Sequence, residues 1–350
     1  MYKPEVLQKY YLFESHPFEP TIDARTQFDF QRQNVSLLTE LNVFQYTELK
    51  SCFIEVGPFA KAIADLSQYF GALGYSSAGG DQPALLIQGS PGSGRGSMAN
   101  YAADIVKQII TQSGCGLPSL KTVFVPTESQ GKLLILIKQK IEAHLNKNPQ
   151  QGVQDIFAEY KDLIDPKAPD QSFLEALLNA LKTPLTAAPP LILIVDPITW
   201  DRRDWIKWLY RLVSPLNVLL IFITEEYRVV PFFDDLVDKN MIQGKSVRLT
   251  GLSVTEGLKF AEARLDHFRS TNVDPKVFPF ELDAFQKIFT GPPEGRVGVK
   301  FLIQVLRGSL NRKMSKLSQS YTAPPPLPTD IRITWADIAE SYEIIIRTPR

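Results

Sequence analysis

The sequence predicts an α/β fold in which a parallel sheet is sandwiched by helices, with a small all-helical lid domain after it. Three observations carry this. The runs ALLIQG (84–89), LILIVD (191–196) and VLLIFIT (218–224) are continuously apolar rather than alternating, as in strands buried on both faces. Segments of helical period separate them, the alternation that builds a parallel sheet. From 253 to 313 only helical patterning remains, which sets that stretch apart as a second unit.

Each element follows in chain order. Residues 1–44 read as an aromatic arm in which Tyr10, Tyr11, Phe13, Phe18, Phe28 and Phe30 alternate with prolines and polar residues, suited to lying on the main body. The α/β domain is expected over 45–252. Its first helix, 58–74, has apolar residues at 59, 63, 66, 69 and 70 and stops at a glycine. After the loop 76–83 and the strand 84–89 comes a Gly-rich turn. The helix 98–110 then places Met98, Tyr101, Ala102, Ile105 and Ile109 on one face. KTVFV (121–125) is a second strand, 133–145 a helix, 146–170 a polar insertion holding a short helix, and 173–181 a further helix. LILIVD is the strongest strand. Behind it Asp201-x-x-Asp204 has the form of a capping box ahead of WIKWLYRLV. VLLIFIT and VRLTGLS (247–253) complete the strands. The lid, 253–320, holds a helix over 255–269 and two more in 281–311, separated by GPPEGR. Residues 321–350 comprise a polyproline-like linker, TAPPPLP, and a short element opened by Thr334-x-x-Asp337.

Composition excludes several classes of function. Lys plus Arg equals Asp plus Glu at 38 each, so no overall charge draws nucleic acid or an anionic membrane. Two cysteines, Cys52 and Cys115, make no disulfide framework, and His16, His144 and His267 lie far apart, with no metal-ligand spacing. The N-terminal segment lacks a signal-peptide core, and no apolar run reaches the roughly 18–20 residues that span a bilayer. The expectation is a soluble cytoplasmic protein without a membrane partner.

The chemistry concentrates in GSPGSGRGS, residues 89–97. In a phosphate-binding loop, backbone N–H groups curl around an anion at a helix N-terminus, glycines permit the curl, a lysine reaches the outer phosphates and a hydroxyl holds magnesium. Gly89, Pro91, Gly92, Ser93 and Gly94 supply the turn between a strand and a helix. Arg95 stands where the lysine is usual, a longer and planar cation. Gly96 stands where the hydroxyl is usual, and Ser97 is about 100° further round the helix. The bare alternative is a tight strand-to-helix turn with no ligand. Asp196 ends a buried strand beside the crevice where such sheets bind ligands, and is the sole weak magnesium candidate. The residue after it, where a water-activating glutamate is common, is Pro197. Thr224 ends the next strand, where a polar group positions water or phosphate or simply terminates the strand. Arg296, ahead of the last lid helix, either reaches back to phosphate or is solvated.

In this order, the loop, LILIVDP, IFIT, VRLTGLSVTEGLKFAEARL and GPPEGRVGVKFLIQVL resemble the AAA+ superfamily of P-loop ATPases, and more closely its origin-recognition-like and STAND-like branches. FIEVG (53–57) matches the usual lead-in, and ITWADIAESY a short terminal element. The resemblance implies a sheet of order 5-1-4-3-2, a helical lid, adenine nucleotide (ATP or ADP) at their junction, and assembly with protein partners, either as a homo-oligomer or with another AAA+-type subunit. It also implies site roles for Gly89 through Ser97, Asp196, Thr224 and Arg296. Four departures fall on the catalytic positions: Arg95, Gly96, Pro197, and FDDLVDKNMIQGKS, which has no arginine where a trans-acting one is usual. The expectation is therefore a degenerate module, a pseudo-ATPase without a catalytic residue and with magnesium in doubt, acting as an assembly scaffold or regulatory subunit. The alternative is an active ATP-hydrolysing switch in which Arg95 and Ser97 take over the missing roles, with DNA as a further candidate partner. For DNA the basic run Arg307, Arg312, Lys313 and Lys316 is the candidate contact, and such a run reads as readily as a solvated face. Trp200, Trp205 and Trp208 either pack on the sheet or form a protein-binding surface.

Overall fold

The computed structural model describes residues 11–13, 17–18, 55–73, 82–112, 114, 118–125, 129–160, 170–269, 276–319 and 331–347. Tyr10, Phe28, Phe30, both cysteines, Phe53 and Ile54 of FIEVG, and the Pro-rich stretch lie outside them.

Five strands form one sheet: β1 (Ala84–Gly89), β2 (Ser119–Phe124), β3 (Leu191–Asp196), β4 (Val218–Thr224) and β5 (Gly244–Leu249). All pairings are parallel, and the order is β2-β3-β4-β1-β5, the expected 5-1-4-3-2. The apolar runs are continuous because successive residues enter different cores. Ala84 and Leu86, Leu191, Leu193 and Val195, and Val218, Leu220 and Phe222 face one layer, while Leu85 and Ile87, Ile192 and Ile194, and Leu219, Ile221 and Ile223 face the other.

The second layer is covered by α1 (Pro58–Leu73) and α2 (Arg95–Gln112). Full burial on α2 falls on Met98, Ala99, Ala102, Ala103, Val106 and Ile110, which share only Met98 and Ala102 with the predicted stripe. Small Ala side chains let the helix lie close to the sheet. Tyr101, Ile105 and Ile109 turn to its flank, where the Tyr101 hydroxyl donates to Glu55 at 2.6 Å. On the first face lie α3 (Gln130–Lys147), α4 (Val153–Glu159), α5 (Gln171–Ala180), α6 (Lys182–Ala187), α7 (Asp204–Val213) and α8 (Val229–Asp238). Trp200, Trp205 and Trp208 pack against this core, half-buried. Trp208 donates to Glu175 at 3.1 Å, and the Arg203 guanidinium lies 4.2 Å from the Trp200 ring centroid.

The predicted Asp201 capping box is not formed. Residues Trp200–Arg202 make a 3-10 turn, the N-cap of α7 is Arg203, and no side chain caps it. The capping box that does form is Ser253-x-x-Glu256 at the start of α9 (Val254–His267), with both reciprocal hydrogen bonds present.

The helices α9, α10 (Leu282–Lys287) and α11 (Val299–Gln319) share one apolar core with α12 (Trp335–Arg347) of the expected terminal element. The described part of the N-terminal arm packs here and not on the α/β body. Tyr11, Phe13 and Phe18 are all within this core, Tyr11 donates to Ile331 O, and Pro17 O accepts from Arg264. The reason is apolar demand: three aromatic side chains fill space between α9, the 276–281 segment and the start of α12. Among the described residues no helix is long and apolar enough to cross a membrane.

Candidate phosphate-binding site

The site begins where β1 runs out. Gly89 lies so close to Ser93 that a Cβ on it would meet Ser93 Oγ at 2.3 Å, and the chain turns on Gly92 (φ +77°) and Gly94 (φ +94°) before α2 starts at Arg95. Both φ values lie where a side chain is strained, which is why this turn is glycine-rich. The turn is held by Ser93 N–H donating to Ser90 O at 3.0 Å and Met98 N–H donating to Gly94 O at 2.9 Å. The Phe59 ring of α1 lies against Gly94. The first N–H groups of α2 have no partner within their own helix, and together with its dipole they favour an anion at the turn.

Around this turn the predicted residues divide. Gly89 through Ser97 form one continuous loop and helix start, with Pro91, Gly96 and Ser97 exposed and Ser93 fully buried. A Cβ on Gly96 would meet nothing within 4 Å. Ser93 Oγ and Arg95 Nη1 are enclosed without a hydrogen-bond partner, two polar atoms whose burial is costly as they stand. Asp196 ends β3 and Thr224 ends β4, the adjacent strand. Thr224 is completely buried, and its Oγ1 accepts from Glu226 N–H at 3.1 Å, so it shapes the turn after β4.

Arg95 crosses from the β1 end of the sheet to the β4 end. Its Nη2 forms an ion pair with Glu225, a carboxylate that sequence reasoning overlooks. Only strand order reveals this partner, since β1 and β4 are neighbours in the sheet but 130 residues separate the pair along the chain. Gln88 of β1 also donates to Glu225 O at 3.3 Å. Asp196 feels the same charges. Burial pushes its carboxyl up from the ordinary range, the Arg95 charge pulls it down, and Glu225 pushes it up again, leaving it raised.

Arg296 is placed differently. Its Nη1 donates to Gly251 O at 2.7 Å and to Glu256 at 3.1 Å, tying the start of α11 to the capped start of α9. The lid residues beside the loop are Gly298 and Lys300. Lys300 N–H donates to Gly92 O at 3.0 Å, and a Cβ on Gly298 would lie 3.3 Å from that same oxygen.

No protein-family model and no curated protein matches the sequence. Solved structures do match. The Aeropyrum pernix ORC1 protein in complex with DNA superposes with a TM-score of 0.51 at 12% identity, over 83% of this chain and 66% of that one. The Aeropyrum pernix ORC2 protein, in ADPNP–ADP complexes, gives 0.49 at 15% identity over 81% and 67%, and Cdc6p from Pyrobaculum aerophilum 0.48 at 14% over 83% and 81%. The chain spans about two thirds of the length of the two Aeropyrum proteins. The fold is thus the AAA+ type: a five-stranded parallel sheet flanked by helices, with a helical lid.

Proposed function

We propose that this chain binds adenine nucleotide on the loop 89–97, turns it over slowly or not at all, and serves as a scaffold or regulatory subunit in a protein assembly. The observation that carries this is the turn itself. Gly92 and Gly94 hold positive φ between a buried strand and a helix N-terminus, while the two side chains that usually act there are Arg95 and Gly96. Backbone N–H groups suffice to hold phosphate. Hydrolysis needs more, and the loss of a metal ligand and a base each raises the barrier by several kcal/mol, about tenfold in rate per 1.4 kcal/mol. The resemblance of the loop, LILIVDP and IFIT to AAA+ ATPases, together with the strand order 5-1-4-3-2, supports adenine nucleotide as the ligand class. Calorimetric titration with ADP and ATP tests the binding, and a phosphate-release assay tests the turnover. Magnesium-dependent turnover at an ordinary ATPase rate, lost on Asp196→Asn, would replace this reading with an active switch. Failure to bind either nucleotide at millimolar concentration would remove both.

For DNA, the solved complex of the Aeropyrum pernix ORC1 protein is the supporting comparison. Within this chain, three of the four candidate cations are engaged internally. Lys313 and Lys316 pair with Asp337, and Arg312 with Glu340, all on α12. We therefore favour protein partners, a second copy or another AAA+-type subunit, which native mass spectrometry would detect. Duplex binding with a steep salt dependence would restore the DNA reading.

A further inference from the structure

Magnesium is the metal that the resemblance brings to such a loop, and the donor set here does not fit it. Gly96 offers no side-chain oxygen, and the hydroxyl of Ser97 is about 100° further round the helix. Pro197 offers none after Asp196. A cation belonging to the chain stands at this edge of the sheet. Three adjacent strand ends meet there: β3 with Asp196, β4 with Glu225 just beyond Thr224, and β1, whose following turn projects Arg95 across to Glu225.

We propose that Arg95 is the resident cation of this site: its guanidinium balances the Asp196 and Glu225 carboxylates where a divalent metal would otherwise be needed, so phosphate binds on the loop without metal. The proposal rests on reading the loop as a phosphate site. The arrangement puts one positive charge, paired directly with Glu225, at the strand ends that carry two acceptor-only carboxylates. The side chain of Arg95 is 14% exposed and that of Glu225 49%, so the guanidinium is sheltered while the carboxylate faces outward. Asp196 ends the strand next to the one that leads into Glu225, and after burial the Arg95 and Glu225 charges are the further influences on its carboxyl. Arg95 Nη1, enclosed without a partner, is the donor for which a phosphate oxygen would supply the missing acceptor. A phosphate on Nη1 would share the guanidinium charge with Glu225 on Nη2. Removing the guanidinium leaves two carboxylates on adjacent strand ends without a counter-charge, a pair that then attracts a hard divalent cation.

The test compares Mn2+ binding by electron paramagnetic resonance in the full wild-type chain, R95Q and R95Q/D196N, with ADP titrations of the wild type in EDTA and in magnesium. The glutamine of R95Q would keep the stem that packs over Gly89 but not the charge. We expect R95Q to bind Mn2+ at least about tenfold more tightly than the wild type, with the gain lost in R95Q/D196N, and wild-type ADP affinity to be equal within about twofold in the two buffers. Equal Mn2+ binding by the wild type and R95Q, or ADP affinity that rises about tenfold or more with magnesium, overturns the proposal. Absence of ADP binding in both buffers instead removes the nucleotide reading, and the Mn2+ comparison still decides the role of Arg95. Should R95Q fail to fold, Glu225→Gln serves in its place. By removing the carboxylate that shares the guanidinium charge it must raise ADP affinity in EDTA by about threefold or more, and no change overturns the proposal.

Discussion

His144 shows how much one buried side chain can set. It is completely enclosed, with Nδ1 2.9 Å from Ser119 Oγ and Nε2 2.9 Å from Pro189 O. A carbonyl only accepts, so Nε2 carries the proton and Nδ1 accepts from the serine hydroxyl. Burial lowers the pKa of the imidazole, the bond to Pro189 O opposes this, and the Lys121 charge adds to the lowering. The folded state therefore holds a neutral ring that the unfolded chain would protonate first. The sign follows: stability from this group is complete above its unfolded pKa of about 6.5 and declines as pH falls below it. Denaturant titrations from pH 8 to 5 should show this decline in the wild type and a flatter profile in His144→Gln. The loop glycines allow a second test at the same scale. Gly94 holds φ +94°, with a Cβ position 2.5 Å from the Phe59 ring, whereas the Cβ position of Gly96 meets nothing within 4 Å. Gly94→Ala should cost about 1–3 kcal/mol, while Gly96→Ala, at an open helical position, should be neutral or stabilise by about 0.5–1 kcal/mol. Thermal melts of the two variants decide this, and similar shifts in both would contradict the geometry.

Elements were legible in proportion to how local their causes are. LILIVD and VLLIFIT form strands with the predicted bounds, because a continuous apolar run between two helical layers needs no further information. The face of α2 is legible only in Met98 and Ala102, because Ala99 and Ala103, too small to dominate an apolar pattern, help decide which side approaches the sheet. Two capping signals of similar form had opposite fates. Asp201-x-x-Asp204 precedes a 3-10 turn that delays the start of α7, so neither carboxylate sits at an N-cap. Ser253-x-x-Glu256 forms the box, with Ser253 N–H donating to Glu256 at 2.7 Å and Glu256 N–H donating to Ser253 Oγ at 3.4 Å. Glu256 also accepts from Arg296, which local pattern cannot show because the arginine lies 40 residues on. Ser253→Ala should therefore destabilise the protein by about 1 kcal/mol, with Asp201→Ala close to zero as its control. Equal losses in chemical denaturation would mean that the box contributes nothing beyond an exposed side chain.

At the scale of the whole molecule, the lid is joined to the sheet domain at the site itself. Leu252 and Val297 exchange backbone hydrogen bonds at 2.8 and 2.9 Å, binding the segment after β5 to the segment before α11. Three residues later Lys300 N–H reaches Gly92 O, so the first turn of the lid's longest helix is hydrogen-bonded to the phosphate-type loop of the sheet domain. Arg296 and Glu256 brace the same corner, and Gly57, just ahead of α1, lies against the Glu256 side chain. An event at the loop must therefore be felt at α11, since Gly92 O cannot move without breaking or dragging the bond from Lys300. Neither half of this joint is readable in the sequence: Arg296 reads there as either reaching to phosphate or solvated, and the contact to the loop comes from the backbone of Lys300, which no side-chain pattern marks. Gly298 is the position at which to separate the two bodies. Valine there would place a Cβ about 3.3 Å from Gly92 O and add two methyl groups beyond it, forcing the lid off the loop without touching either core. Hydrogen exchange of Gly298→Val should show faster exchange at the amide of Lys300, its neighbours in the first turn of α11 and residues 90–97. The amides of β4 and of the buried middle of α11 should keep wild-type protection. Loss of protection throughout the lid would instead mean that the α11 start is a structural keystone of the lid, and unchanged exchange at Lys300 would mean that the lid and loop are not coupled through this bond.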